Sequence, residues 1–166
     1  STVDERFPVL YPALDTSGQR APLPKTKHSP VVSLNRFERK KNIMLLLYAY
    51  QYLHETYPDL ELPPLIVAGG YDIHNVENVE YRGFLQTMVN DFLTISVDFR
   101  TDISDDERSL LFQTALSVVY TPENEHFGIV PLEAMYAGTP VVAVNSGGPM
   151  ETVTDGETGF LREPTP

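Results

Sequence analysis

The sequence predicts an α/β protein built on a Rossmann-like, doubly wound parallel sheet, and three observations predict it. Short runs that are apolar throughout, such as PVVSLN, PLIVAGG, SVVYTP and TPVVAVN, alternate with longer segments of helical spacing. The runs close on Gly, Pro, Asn or Thr, as strands that empty into loops do. A length of 166 residues with 42% apolar content supports one well-cored domain and leaves no room for a second complete one.

Residues 1–29 hold four prolines and one short apolar run, Phe7 to Leu14. They read as a short strand and an irregular linker arriving from a preceding domain. The α/β domain then occupies residues 30–166. Its first strand is PVVSLN, and KKNIMLLLYAYQYLHETYP follows as a helix of about four turns that Pro58 ends. PLIVAGG is a second strand closing on two glycines, with a helix over NVENVEYRGFLQTMVNDFL. TISVDF is read as the third strand. SDDERSLLFQTA is a helix with Ser104 as its N-cap and acids in its first turn. SVVYTP is the fourth strand, a helix runs from about Ile129 to Ala137 before Gly138, and TPVVAVN is the fifth, leading into SGGPMETVTDG. The last residues, GFLREPTP, are read as closing without a helix, which suggests a piece of a longer protein. In such sheets ligands sit at the carboxyl ends of the strands, so the loops after Leu34, Ala68, Tyr120 and Val144 share the edge of interest.

Composition narrows the function. The net charge of −11 disfavours nonspecific nucleic-acid or anionic-membrane binding. No apolar run approaches the roughly 20 residues of a membrane span. With no cysteine and no Asn-x-Ser/Thr acceptor, a reducing cytosolic setting is the default. An anionic ligand must therefore find a local basic patch, and SLNRFERKKN supplies one with Arg36, Arg39, Lys40 and Lys41, four of the twelve basic residues. Alone, that cluster is better read as a solvated helix start with ordinary surface lysines.

The stretch ENEHFGIVPLEAM carries the chemistry. Pro131 fits a helix only in its first turn, which fixes a helix start beside Gly128. The amides of Phe127, Gly128, Ile129 and Val130 at that helix start, together with the helix dipole, would hold a phosphate. Glu133, an acceptor-only carboxylate farther into the helix, suits the diol of a ribose. Glu125, on the loop before it, suits hydroxyls of a second sugar or positive charge building there. Arg36 and Lys41 would neutralise a diphosphate. Two glutamates at this spacing also occur as plain surface acids, and it is the conjunction with the glycine, proline, strand and basic cluster that carries weight. Gly69–Gly70 reads as a tight turn, SGGP as a turn into a helix start, His126 as a loop histidine, and His28, His54 and His74 show no metal spacing.

On these residues the chain resembles the retaining glycosyltransferases of GT-B fold, glycosyltransferase family 4, which carry two glutamates separated by seven residues. EHFGIVPLE matches that motif, and TPVVAVNSGGPMETVTDGETGFL matches the strand and turn after it. SLNRFERKKN, IVAGGYD and YTPENEHFGIVPLEAM are similar to the dolichol-pathway mannosyltransferases within that family. The resemblance implies the C-terminal, GDP-mannose-binding domain of a GT-B enzyme, with no metal or other cofactor. It implies Glu125 at the reacting sugar, Arg36 and Lys41 on the diphosphate, backbone of Phe127, Gly128 and Ile129 on phosphate and mannose, and Glu133 on the ribose. It further implies a lipid-linked oligosaccharide acceptor received by a separate N-terminal domain, and a place at the cytosolic face of the endoplasmic reticulum membrane. Asn42 and His126 stand where many members of the family have glycine, which leaves the sugar open. A different nucleotide sugar, or a noncatalytic binding module, are the readings that remain beside it.

Overall fold

The structure, a computed structural model, describes residues 12–14 and 23–166. Six strands form one sheet: β1 Val31–Leu34, β2 Leu65–Gly69, β3 Val97–Thr101, β4 Ser117–Tyr120, β5 Val141–Val144 and β6 Gly159–Arg162. All neighbouring pairs are parallel, in the spatial order β3-β2-β1-β4-β5-β6. The doubly wound expectation therefore holds, and the order reverses between β1 and β4, the position where such sheets open a crevice.

Alternation along each strand explains why β1 and β2 read as apolar throughout. Val32, Leu34, Ile66 and Ala68 point to one face, packing with Leu111, Phe112, Val118, Ala134 and Val141. Val31, Leu65 and Val67 point to the other, packing with Phe37, Ile43, Leu47, Tyr81 and Leu85. Helices α1 Ile43–Thr56 and α2 Val76–Asp91 cover the second face, while α3 Asp105–Thr114 and α4 Ile129–Tyr136 cover the first. A short α5, Pro149–Thr152, follows β5. Among the described residues no helix is long and apolar enough to cross a membrane.

Three expectations need correction or addition, and a fourth falls largely outside the described residues. GFLR, read only as closing without a helix, is a sixth strand: Val141 to Val144 of β5 give it four partners in register. The third strand begins at Val97 rather than Thr94, and its half-exposed VDFRT shows that the sheet edge is not apolar throughout. The first helix is interrupted, because Arg39–Lys41 form a 3₁₀ turn and Asn42 takes a left-handed conformation at φ 48° before α1 starts. The strand expected within Phe7 to Leu14 lies mostly outside the described residues, and residues 12–14 are not strand.

Candidate donor site

A cleft of about 550 Å³ opens at the carboxyl edge of the sheet. Its walls come from the loop after β1 (Asn35, Arg36, Glu38, Lys40, Lys41), the end of β2 (Gly69, Gly70), Tyr120 of β4, Arg108 of α3 and the start of α4 (Gly128, Ile129, Val130), with Glu125 on the loop between β4 and α4. Four cations stand there against the two carboxylates Glu38 and Glu125, so a protein of charge −11 has a locally positive hollow here.

The loop that carries the cations is well anchored. Phe37 is fully buried, its amide donates to the Gly70 carbonyl, and its own carbonyl accepts from the buried Asn78 side chain of α2. Arg39 lies over the rings of Tyr81 and Phe84 and so faces α2 rather than the cleft. Thr121, just past β4, donates its hydroxyl to the Lys41 carbonyl at 2.7 Å, and Asn42 donates to Glu123 at 3.2 Å. These contacts fix the backbone of Lys41. Its ammonium is then ion-paired with the Glu125 carboxylate. Arg36 is largely exposed, 3.8 Å from Glu38, which Lys40 approaches at 3.1 Å.

Glu125 is held from a second side. The hydroxyl of buried Tyr120 donates to it, and burial, then the neighbouring charge of Glu125, push that phenol well above its ordinary value. Tyr120 therefore stays a donor at all ordinary pH. Its ring also lies against Gly128, where an added Cβ would stand 3.2 Å from the ring and the hydroxyl. Gly128 has φ 71°, in the left-handed region that favours glycine, and it is the N-cap of α4. No side chain caps this helix and no acid lies in its first turn. The amides of Gly128, Ile129 and Val130 have no partner within the helix, and Pro131, the next residue, has no amide to satisfy.

The loop from Glu125 to Phe127 is backed by the SGGP turn, whose part in the site the sequence did not disclose. Gly148 donates to the Glu125 carbonyl at 2.7 Å, and Ser146 receives the Asn124 amide at 2.9 Å. A Cβ on Gly147 would stand 2.4 Å from the Glu125 carbonyl oxygen, and one on Gly148 2.1 Å from that of Phe127. Both glycines are thus required by close backbone approach. Gly69 plays the same part on the other wall, where a Cβ would meet the Asn35 oxygen at 1.8 Å, so the tight-turn reading of Gly69–Gly70 gives way to close packing of two loops.

Of the residues singled out from sequence, the structure brings Arg36, Lys41, Glu125, Gly128 and Ile129 to one cleft. Phe127 and Glu133 do not line it. Glu133 stands one turn along α4, ion-paired with Arg108, and Arg108 does reach the cleft. Arg108, Tyr120 and Glu38 were missed; nothing in the local spacing of DDERSLL or SVVY marks the first two, which join the site only through packing of α3 and β4 beside α4, and Glu38 stands in the loop after β1 among the cations that drew attention there. Among the described residues no three or more His, Asp or Glu stand together as a metal site.

The family model for glycosyl transferases group 1 matches residues 16–166. The chain belongs to that family. It is 46% identical over 169 residues to the human alpha-1,3/1,6-mannosyltransferase ALG2, covering 95% of this chain and 41% of the human protein. To the corresponding protein of Neurospora crassa it is 43% identical, covering 86% of this chain and 34% of that one. The glycosyltransferase chain thus spans less than half the length of these relatives. Among solved structures it is similar to sucrose-phosphate synthase from Thermosynechococcus elongatus, with TM-score 0.70 and 30% identity over 84% of this chain and 33% of that one. It is also similar to HepE of Anabaena in complex with UDP-glucose, with TM-score 0.69 and 27% identity over 82% of this chain and 35% of that one. The resemblance drawn from ENEHFGIVPLEAM and its neighbours is borne out at the level of family and fold.

Proposed function

We propose that this chain is the donor-binding half of a retaining mannosyltransferase that takes mannose from GDP-mannose and adds it to a dolichol-diphosphate-linked oligosaccharide. One observation carries the reading: an uncapped helix start, at the switch point of a parallel sheet, opens into a cleft lined by four cations. Likeness to the human and fungal mannosyltransferases supports mannose as the sugar transferred.

In this reading the diphosphate lies against the amides of Gly128, Ile129 and Val130, where the helix dipole and fixed N–H groups meet the charge that grows on the leaving group. Lys41 has three donors, enough to hold Glu125 and a phosphate oxygen together, and Arg36 closes over the outer phosphate. Glu125, set by Lys41 and Tyr120, accepts the mannose hydroxyls or faces the reacting carbon. Phe127 contributes backbone behind the sugar, and Glu133 accepts the ribose diol. The cations and helix start meet the diphosphate charge, so no metal or other cofactor is invoked. Residues 30–166 form the donor domain in this reading, and the acceptor is received by a separate domain of the whole enzyme. The whole enzyme would work at the cytosolic face of the endoplasmic reticulum membrane, with membrane attachment supplied by other segments and no nucleic acid involved.

A UDP-sugar donor is the second reading, favoured by likeness to the Anabaena protein seen with UDP-glucose. Calorimetric titration with GDP, GDP-mannose and UDP-glucose separates the two. Saturable heat with both guanosine ligands and much weaker heat with UDP-glucose is the expected result. Equal or absent heat for all three, on a sample with a cooperative melt, overturns the assignment.

A further inference from the structure

Arg108 is a cleft residue to which the roles above give no part. It sits near the start of α3, its Nη2 donates to Glu133, and its guanidinium lies 5.6 Å over the Phe112 ring. Its Nε is buried with no acceptor. Holding α3 against α4 does not explain it. Leu111, Phe112 and Ala134 already join the two helices in one core, and a part-exposed ion pair adds little to stability. A buried donor without an acceptor is itself a cost that a purely structural side chain has no reason to carry.

Placement gives the better account. Glu133 follows Val130 by three residues, so both share one face of α4, and Val130 forms cleft wall. Glu133 is off that wall, and Arg108 connects it to the cleft. A glutamate has three rotatable bonds, and a carboxylate free to swing would accept a diol only after losing that freedom. A guanidinium on one oxygen, itself stacked on Phe112, restricts the carboxylate and leaves the other oxygen as an acceptor. We infer that Arg108 is a positioning residue for the nucleotide ribose: it acts through Glu133, presetting that carboxylate for the two ribose hydroxyls. The inference rests on the donor reading above and deepens it.

The test is a ratio of affinities for GDP and 2′,3′-dideoxy-GDP, measured by calorimetry on the 166-residue chain and on Arg108→Met. The original chain should prefer GDP by about tenfold or more, the range of hydrogen bonds to a charged group. In Arg108→Met the preference should fall below about threefold, and Arg108→Lys should restore part of it. Should Arg108→Met fail to fold, Arg108→Gln, uncharged but polar, is put through the same ratio with the same expectation. If the preference stays undiminished while both affinities drop together, Arg108 contacts phosphate or merely supports the fold, and the inference is overturned. If the original chain binds GDP but ignores the hydroxyls, the Glu133 role and this inference fall together while diphosphate binding stands. If it binds no nucleotide, the donor reading itself fails.

Discussion

Helices α3 and α4 begin within one molecule under the same physics, yet their ends are treated in opposite ways. At α3 the Ser104 hydroxyl accepts the Glu107 amide while the Glu107 carboxylate accepts from Ser104, and Asp105, Asp106 and Glu107 fill the first turn with negative charge. At α4 the cap is a glycine in a left-handed conformation, no side chain accepts from the first turn, and no acid is placed there. The α3 end is completed by its own sequence. The α4 end has neither a side-chain cap nor a first-turn acid, and the cations around it are arranged as walls of the same hollow. On the proposed function, the helix start that the chain leaves open, facing a positive cleft, serves binding, and the one that the chain closes serves stability.

Making the open end resemble the closed one should give the largest effect. Ile129→Glu places an acid in the first turn of α4, as at α3. A carboxylate about 4 Å from a bound diphosphate costs about 4 kcal/mol at a surface-like dielectric, so GDP affinity should fall by more than about 100-fold. The helix itself should hold or gain by about 0.3–1 kcal/mol. Calorimetry and a thermal melt on one sample read both halves, and parallel loss of binding and stability would erase the distinction.

Removing a wall cation should do less. Lys41→Ala is expected to weaken GDP about tenfold at low salt. The difference from the original chain should narrow near 1 M salt, where the screening length is only about 3 Å. A loss that ignores ionic strength would argue that Lys41 acts through packing.

The smallest effect belongs to the closed end. Ser104→Ala should cost about 1 kcal/mol of stability, read as a lower melting temperature, and leave GDP affinity unchanged. The Glu107 carboxyl is held below its ordinary value by the Ser104 amide first and the hydroxyl second. A group depressed in the folded state stabilises above its unfolded value, about 4.3, and that contribution is lost as the pH falls through the folded one. The gap between the two melting curves should therefore shrink on acidification below about pH 4. A gap constant with pH would mean that the capping box does not couple to Glu107.

The contrast between the two ends also tracks what could be read before the structure. Ser104 and its acids announce a helix start by type and spacing, and Pro131 announces the other by exclusion, so both starts were legible. Lys41 and Glu125 were legible as chemistry, but their pairing spans 84 positions and depends on β1 and β4 being neighbours, which no local pattern states. Tyr120 reads as one more core aromatic until Gly128 and Glu125 are folded over its hydroxyl. Arg108 reads as a surface charge on an amphipathic helix. The third strand was displaced because its residues alternate on an exposed edge, and β6 was missed because GFLR is short and earns its strand geometry only from β5.

The central claim is that the amides at the start of α4 hold the diphosphate of a nucleotide sugar, and a crystal structure of the chain with GDP-mannose tests it most directly. The account predicts phosphate oxygens within hydrogen-bond distance, about 3 Å, of the Gly128, Ile129 or Val130 amides, with Lys41 Nζ reaching the same group. A nucleotide bound elsewhere, with those amides turned to water or to the protein's own acceptors, would contradict it.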